Sequence, residues 1–161
     1  GITSSAGADP VETAIANHQS VSLASGKFFE SANIDEVRKA LIAQGLSSGL
    51  ATAHDLSGAH FTLEGGIRLE GDLAAGAFRY RHDSQLYVLQ TYADLDGGGT
   101  TKHSRHIGHN LMRGYEGVGA SAAVWADNGN VYVFSGEGSM DEILDLAASA
   151  FYGIHKGSGH H

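Results

Sequence analysis

The sequence predicts an α+β domain, a mainly antiparallel sheet of about six strands with two helices packed on one face. Three patterns carry this expectation. Apolar and polar residues alternate between 60 and 94, an Asn-Gly pair joins two short apolar runs in the final third, and two amphipathic stretches each open on a capping pair. Every amphipathic element needs an apolar partner, and one sheet face shared by both helices is the economical way to supply it.

Residues 1–16 are small and polar, include Pro10, and read as a flexible lead-in. Between 17 and 31, weak alternation at Val21 and Leu23, then Phe28 and Phe29, predicts one strand. Asn33 caps a helix over 34–43, with Glu36 three residues later, the reciprocal arrangement that satisfies orphan N–H groups. Ile34, Val37, Ala40 and Leu41 form its apolar stripe, and Gly45 can stop it in a left-handed conformation. Phe61 and Leu63 next alternate with Thr62 and Glu64, and Gly65-Gly66 permits a bulge before Ile67 and Leu69. The runs 76–82 and 85–92 predict a hairpin about His82-Asp83-Ser84-Gln85, with Phe78 and Tyr80 on one face and Arg79 and Arg81 on the other.

Residues 94–99 are a turn initiated by Asp94 and Asp96, and 100–108 hold too few apolar residues to assign. Two further strands within 124–135 meet at Asn128-Gly129, because a tight primed turn wants positive φ at both central residues. Ser139 and Glu142 then cap a helix whose stripe is Ile143, Leu146, Ala147, Ala150 and Phe151, ended by Gly153. One domain over 17–154 follows, while 155–161 read as a linker and the remnant of a purification tag.

Composition narrows the function. The 161 residues carry 18 Asp+Glu against 10 Lys+Arg, a net charge of -8. That balance argues against nucleic acid as partner, since phosphate contact needs clustered positive charge; Lys102, Arg105 and Arg113 make only a thin patch. Absence of cysteine excludes thiolate zinc sites, cysteine nucleophiles, thioether-linked haem and disulfides.

His103, His106 and His109 are the chain's most conspicuous chemical motif. A metal or haem site there requires converging imidazoles. On a strand, residues three apart point to opposite faces, so such a site would need help from His54, His60, His82, Asp55 or Asp83. No cofactor is expected, and a stand-alone metal- or haem-binding protein built on these three histidines is the alternative reading.

Catalytic residues are expected to be absent. Gly65-Gly66, Gly97-Gly98-Gly99 and Gly117-Val118-Gly119 lack phosphate-loop spacing. No serine stands on a nucleophile-elbow pattern. Asp141, Glu142 and Asp145 sit where a helix macrodipole favours acids. Trp125 and Tyr132 read as core or cross-strand partners, or as interface anchors. With Arg79, Arg81 and His82 they are the candidate interaction surface.

The stretch from Ala53 to Leu73, with Asp55, Leu56, Phe61, Leu63, Gly65, Gly66 and Leu69, resembles the outer domain of membrane-anchored anti-sigma factors. Asp96-Gly97 match that family's turn, and Trp125, Tyr132, Gly136, Leu144 and Ala147 match its final strands and helix. The resemblance spans 18–153. Departures are Ala59 in place of a glycine, Ile67 where an arginine follows the glycine pair, and the histidine run where a strand would lie. The resemblance implies a non-catalytic domain on the extracytoplasmic side of a bacterial inner membrane, within a single-span protein. It would receive a signal ligand or partner protein, with a homo-oligomer as a further expected assembly, and relay the signal to a sigma factor through a cytoplasmic region not among these residues.

Overall fold

The computed structural model describes residues 9–24, 26–71, 73–95, 101 and 103–158. The first helix, α1 (Pro10–Ser22), starts where Asp9 accepts a hydrogen bond from the Val11 amide and Pro10 occupies the first turn, in which its missing N–H costs nothing. Its buried face is Val11, Ala14, Ile15, His18 and Val21. Residues 10–16 of the expected lead-in and 17–22 of the strand expected over 17–31 are therefore helix. Only β1 (Phe29–Glu30) remains of that strand.

Helix α2 (Ile34–Ala43) is capped as expected, the Asn33 side chain accepting from the Glu36 amide at 3.0 Å. The return bond is rerouted. Glu36 accepts from the Ser31 hydroxyl at 2.9 Å, and the Asn33 amide donates to Ser31 Oγ at 3.0 Å. Asn33→Ala should cost about 1 kcal/mol, read as a lower urea midpoint with unchanged slope. Gly45 ends this turn at φ +101°, and the Leu46 amide closes back on Leu41.

After short 3₁₀ turns at Ser48–Leu50 and Ser57–Ala59 come β2 (Thr62–Leu69), β3 (Ala75–His82) and β4 (Gln85–Tyr92). The rest of the sheet is β5 (Ser104–Ile107), β6 (Asn110–Gly117), β7 (Ala120–Asp127) and β8 (Asn130–Gly136), followed by helix α3 (Met140–Ser158). The 8-stranded sheet is antiparallel, in the order β1-β2-β3-β4-β8-β7-β6-β5. Two meanders thus meet at a β4–β8 seam. β5 and β6 are the strands the sequence left unassigned, because Ile107 and Met112 alone among their large apolar side chains are buried.

A primed turn occurs at Asn128-Gly129 (φ +51°, +81°), as its residues predict, and a second at Asp83-Ser84 (φ +49°, +68°), where the sequence indicates a hairpin without its turn type. The bulge also falls at the glycine pair, with register shifting between Leu63 and Gly65. Gly65 has φ +149°, and a Cβ there would stand 2.1 Å from the Phe29 carbonyl oxygen. Gly65→Ala should therefore peel β1 from β2 and cost about 3 kcal/mol, from disfavoured φ together with a backbone clash. Thermal unfolding measures the loss, and faster hydrogen exchange at β1 locates it.

α2 and α3 pack on one sheet face, as expected. Val37, Leu41, Ile143, Leu144 and Ala147 meet Phe78, Tyr80, Leu89, Trp125 and Phe134 there. The other face is covered by α1, through Val11, Ala14 and Ile15 against Ala75, Tyr92, Ala122 and Val133, and through Val21 against Ala77 and Val88. Ser139 and Glu142 form the full reciprocal cap of α3, at 3.1 and 2.9 Å, and the helix backbone continues past Gly153.

Among the described residues no helix is long and apolar enough to cross a membrane. That overturns, for this chain, the expected placement at an inner membrane as part of a single-span protein. The described apolar residues Val11 and Ile15 of α1, Val37 and Leu41 of α2, and Ile143, Leu144 and Ala147 of α3 are instead buried against the sheet.

Candidate functional site

The least conventional packing lies under α1. Most buried helix faces are apolar, yet beneath this one runs a polar row. Gln90 is wholly buried, donates to the Ala14 carbonyl at 2.6 Å and accepts a short hydrogen bond from the Tyr92 hydroxyl. Asn17 reaches Gln90 and Tyr92 from the helix at 3.4 and 3.5 Å. Burial pushes the Tyr92 phenol up to about 12, so it remains a neutral donor.

One turn later His18 is 4% exposed, with Nδ1 2.8 Å from Ser135 Oγ on β8 and Nε2 3.4 Å from Ser22 Oγ on its own helix. The adjacent Ser135 hydroxyl is itself fully buried. This histidine–serine pair fastens helix to sheet.

Arg79 fixes the C-terminal end of α1. Its Nη1 donates to the carbonyls of Val21, Ser22 and Ala24 at 3.0, 3.3 and 3.5 Å, where the helix leaves acceptors unpaired. Its guanidinium lies 4.1 Å over the Phe28 ring, and its Nε pairs with Glu64 at 2.9 Å. Glu64 is the extra residue of the bulge, so its carboxylate reaches both Arg79 and, at 2.7 Å, Arg81.

A cleft opens at each end of α1. One, of about 450 Å³, is bordered by His18, Gln19, Ser22, Arg81, Gln85 and Glu137. The other, of about 360 Å³, lies between Pro10, Thr13, Asn17, Leu73 and Tyr92.

The structure separates the residues of the expected interaction surface. Arg79 and Arg81 face α1, whereas His82 points to the opposite face and stacks on Phe61 with centroids 4.4 Å apart. Trp125 and Tyr132 are each 5% exposed, are cross-strand neighbours, and stack at 5.5 Å inside the core.

The histidine run divides likewise. His103 and Arg105 point to α3, with His103 Nδ1 3.1 Å from Asp141 and Arg105 Nε 2.9 Å from Asp145. Hydrogen bonding from His103, aided by Arg105, holds the Asp141 carboxyl below its usual range. His106 and His109 are exposed, the former on the opposite side of β5 and the latter in the β5–β6 turn. Among the described residues, no group of three or more histidines and carboxylates is placed to hold a metal ion.

His54 instead packs edge-on to Tyr132 and Phe151, each at 5.4 Å, and its backbone exchanges hydrogen bonds with the buried Tyr80 hydroxyl. Asp55 accepts from Ser57, which lowers its pKa. His60 offers its carbonyl to His82 Nδ1 at 3.3 Å, and Asp83 forms the β3–β4 turn. Asp96, Gly97 and Lys102 lie outside the described residues.

Comparison with known proteins found no matching family, no matching curated protein and no matching solved structure.

Proposed function

We propose that this chain is a non-catalytic sensory and regulatory domain of the anti-sigma type, in which a ligand or partner protein acting at α1 biases the holding or release of a sigma factor. The observation that carries the reading is the polar seat of α1. A helix held over its own sheet by Gln90, His18 and Arg79, with a cleft at each end, can exchange these hydrogen bonds for water at modest cost. A signal acting here needs to distinguish docked from undocked helix by a few kcal/mol, within reach of several hydrogen bonds gained or lost.

The test uses cells of the natural host carrying a set of reporters, one for each of its sigma factors. Deleting residues 9–151 from the natural reading frame should make one reporter's output constant across growth conditions that vary it in the parent strain. An unaltered response of every reporter after the deletion would overturn the proposal.

A further inference from the structure

We propose that His18 is a proton-triggered release for α1: uptake of one proton by its buried imidazole loosens the helix from the sheet. The device concerns α1 itself and stands whether or not the anti-sigma reading holds.

The geometry sets two requirements against each other. At 4% exposure, the ring has lost nearly all contact with bulk water, and its two nitrogens face only the hydroxyls of Ser135 and Ser22. Those hydroxyls can accept from a protonated ring, so the count of hydrogen bonds survives. What does not survive is the hydration of the added charge, the larger loss at a buried site.

The neighbouring charges are mixed. From its own helix the ring meets only the neutral Gln19 and Ser22. β8 leads into Glu137, which favours the charged ring. β3 supplies two cations to this side, Arg79 at the end of α1 and Arg81 across the cleft, both engaged by Glu64 from β2. β4 offers the neutral amide of Gln90 and the phenol of Tyr92. β7 brings Ala120 and Ala122. β6 carries Tyr115 and Arg113 on the same face.

Burial is the dominant influence and holds the His18 pKa below its ordinary value of 6.5, with Glu137 offsetting part of the effect. A depressed value in the docked state means that the undocked state binds the proton more tightly. Docking is therefore fully stable above the ordinary value and weakens as pH falls from there through the lower docked-state value. Undocking places the imidazole in water, and the cleft bordered by His18, Gln19 and Ser22 already opens at that point.

Amide hydrogen exchange, corrected for intrinsic rates, tests this between about pH 7.5 and about pH 5, the range in which imidazole titrates. In the wild-type chain, protection of α1 should fall by up to about tenfold per pH unit, the limit for one proton, while α2 stays protected. His18→Gln, neutral throughout and able to reach the same serines, should abolish the pH dependence. Flat protection in wild type, or an equal loss in the variant, overturns the proposal. Should the variant fail to fold, ring NMR of the wild-type chain decides. His18 titration should coincide with shifts of the α1 amides, and titration with α1 unchanged overturns it.

Discussion

Phe134→Ala should destabilise the domain by about 3–5 kcal/mol, the cost of a large cavity in a closely packed core. Phe134 is fully buried in β8, with Leu89 and Ala123 as its strand partners. Its ring stacks parallel to Tyr87 at 5.6 Å and meets Phe61 and Phe151 edge-on at 5.9 and 5.6 Å. Truncation empties the point where both meanders and α3 converge, and neighbours anchored on different elements cannot all collapse into it. Since natural domains are stable by roughly 5–15 kcal/mol, much of the reserve disappears. Urea unfolding should show a large drop in midpoint, and a loss below about 1 kcal/mol would refute the packing described.

Arg79→Met should cost about 2 kcal/mol or more, with the damage concentrated in α1. Methionine retains much of the apolar stem but offers no donor to the Val21, Ser22 and Ala24 carbonyls. Glu64 keeps Arg81 as partner, which limits the electrostatic part of the loss. The measurement that separates this from a general core defect is local. Exchange at α1 amides should accelerate well beyond that at α3, and uniform acceleration would contradict the role of Arg79 as the fastening of this helix.

Elements whose instructions are local were legible in the sequence. Asn33 and Ser139 announce their helices through side chains that meet amides three residues away, and Asn128-Gly129 dictates its turn by its own φ preference. Helix α1 was missed because its buried face includes alanine, valine and a histidine, so its apolar stripe is thin. Asp9-Pro10 was the available signal. The β5–β6 pair was unreadable because few of its side chains face the core. At the site, alternation correctly placed Arg79 and Arg81 together. That they grip a helix end could not follow until α1 was known to lie over that face. Likewise the three-residue histidine spacing separates His103 from His106 only once the segment is known to be a strand.

The strand order has a consequence for the chain during synthesis. Every pairing in the described sheet joins consecutive strands except β4 with β8, where Leu89 meets Phe134. Closing that seam pays the loop entropy of the intervening segment before its contacts are gained, so it should limit the folding rate. Until β8 emerges from the ribosome, β4 stands as an open edge bearing Tyr87, Val88 and Leu89. The nascent protein is most exposed to mispairing with its neighbours at that edge, and the arrival of β8 removes the hazard.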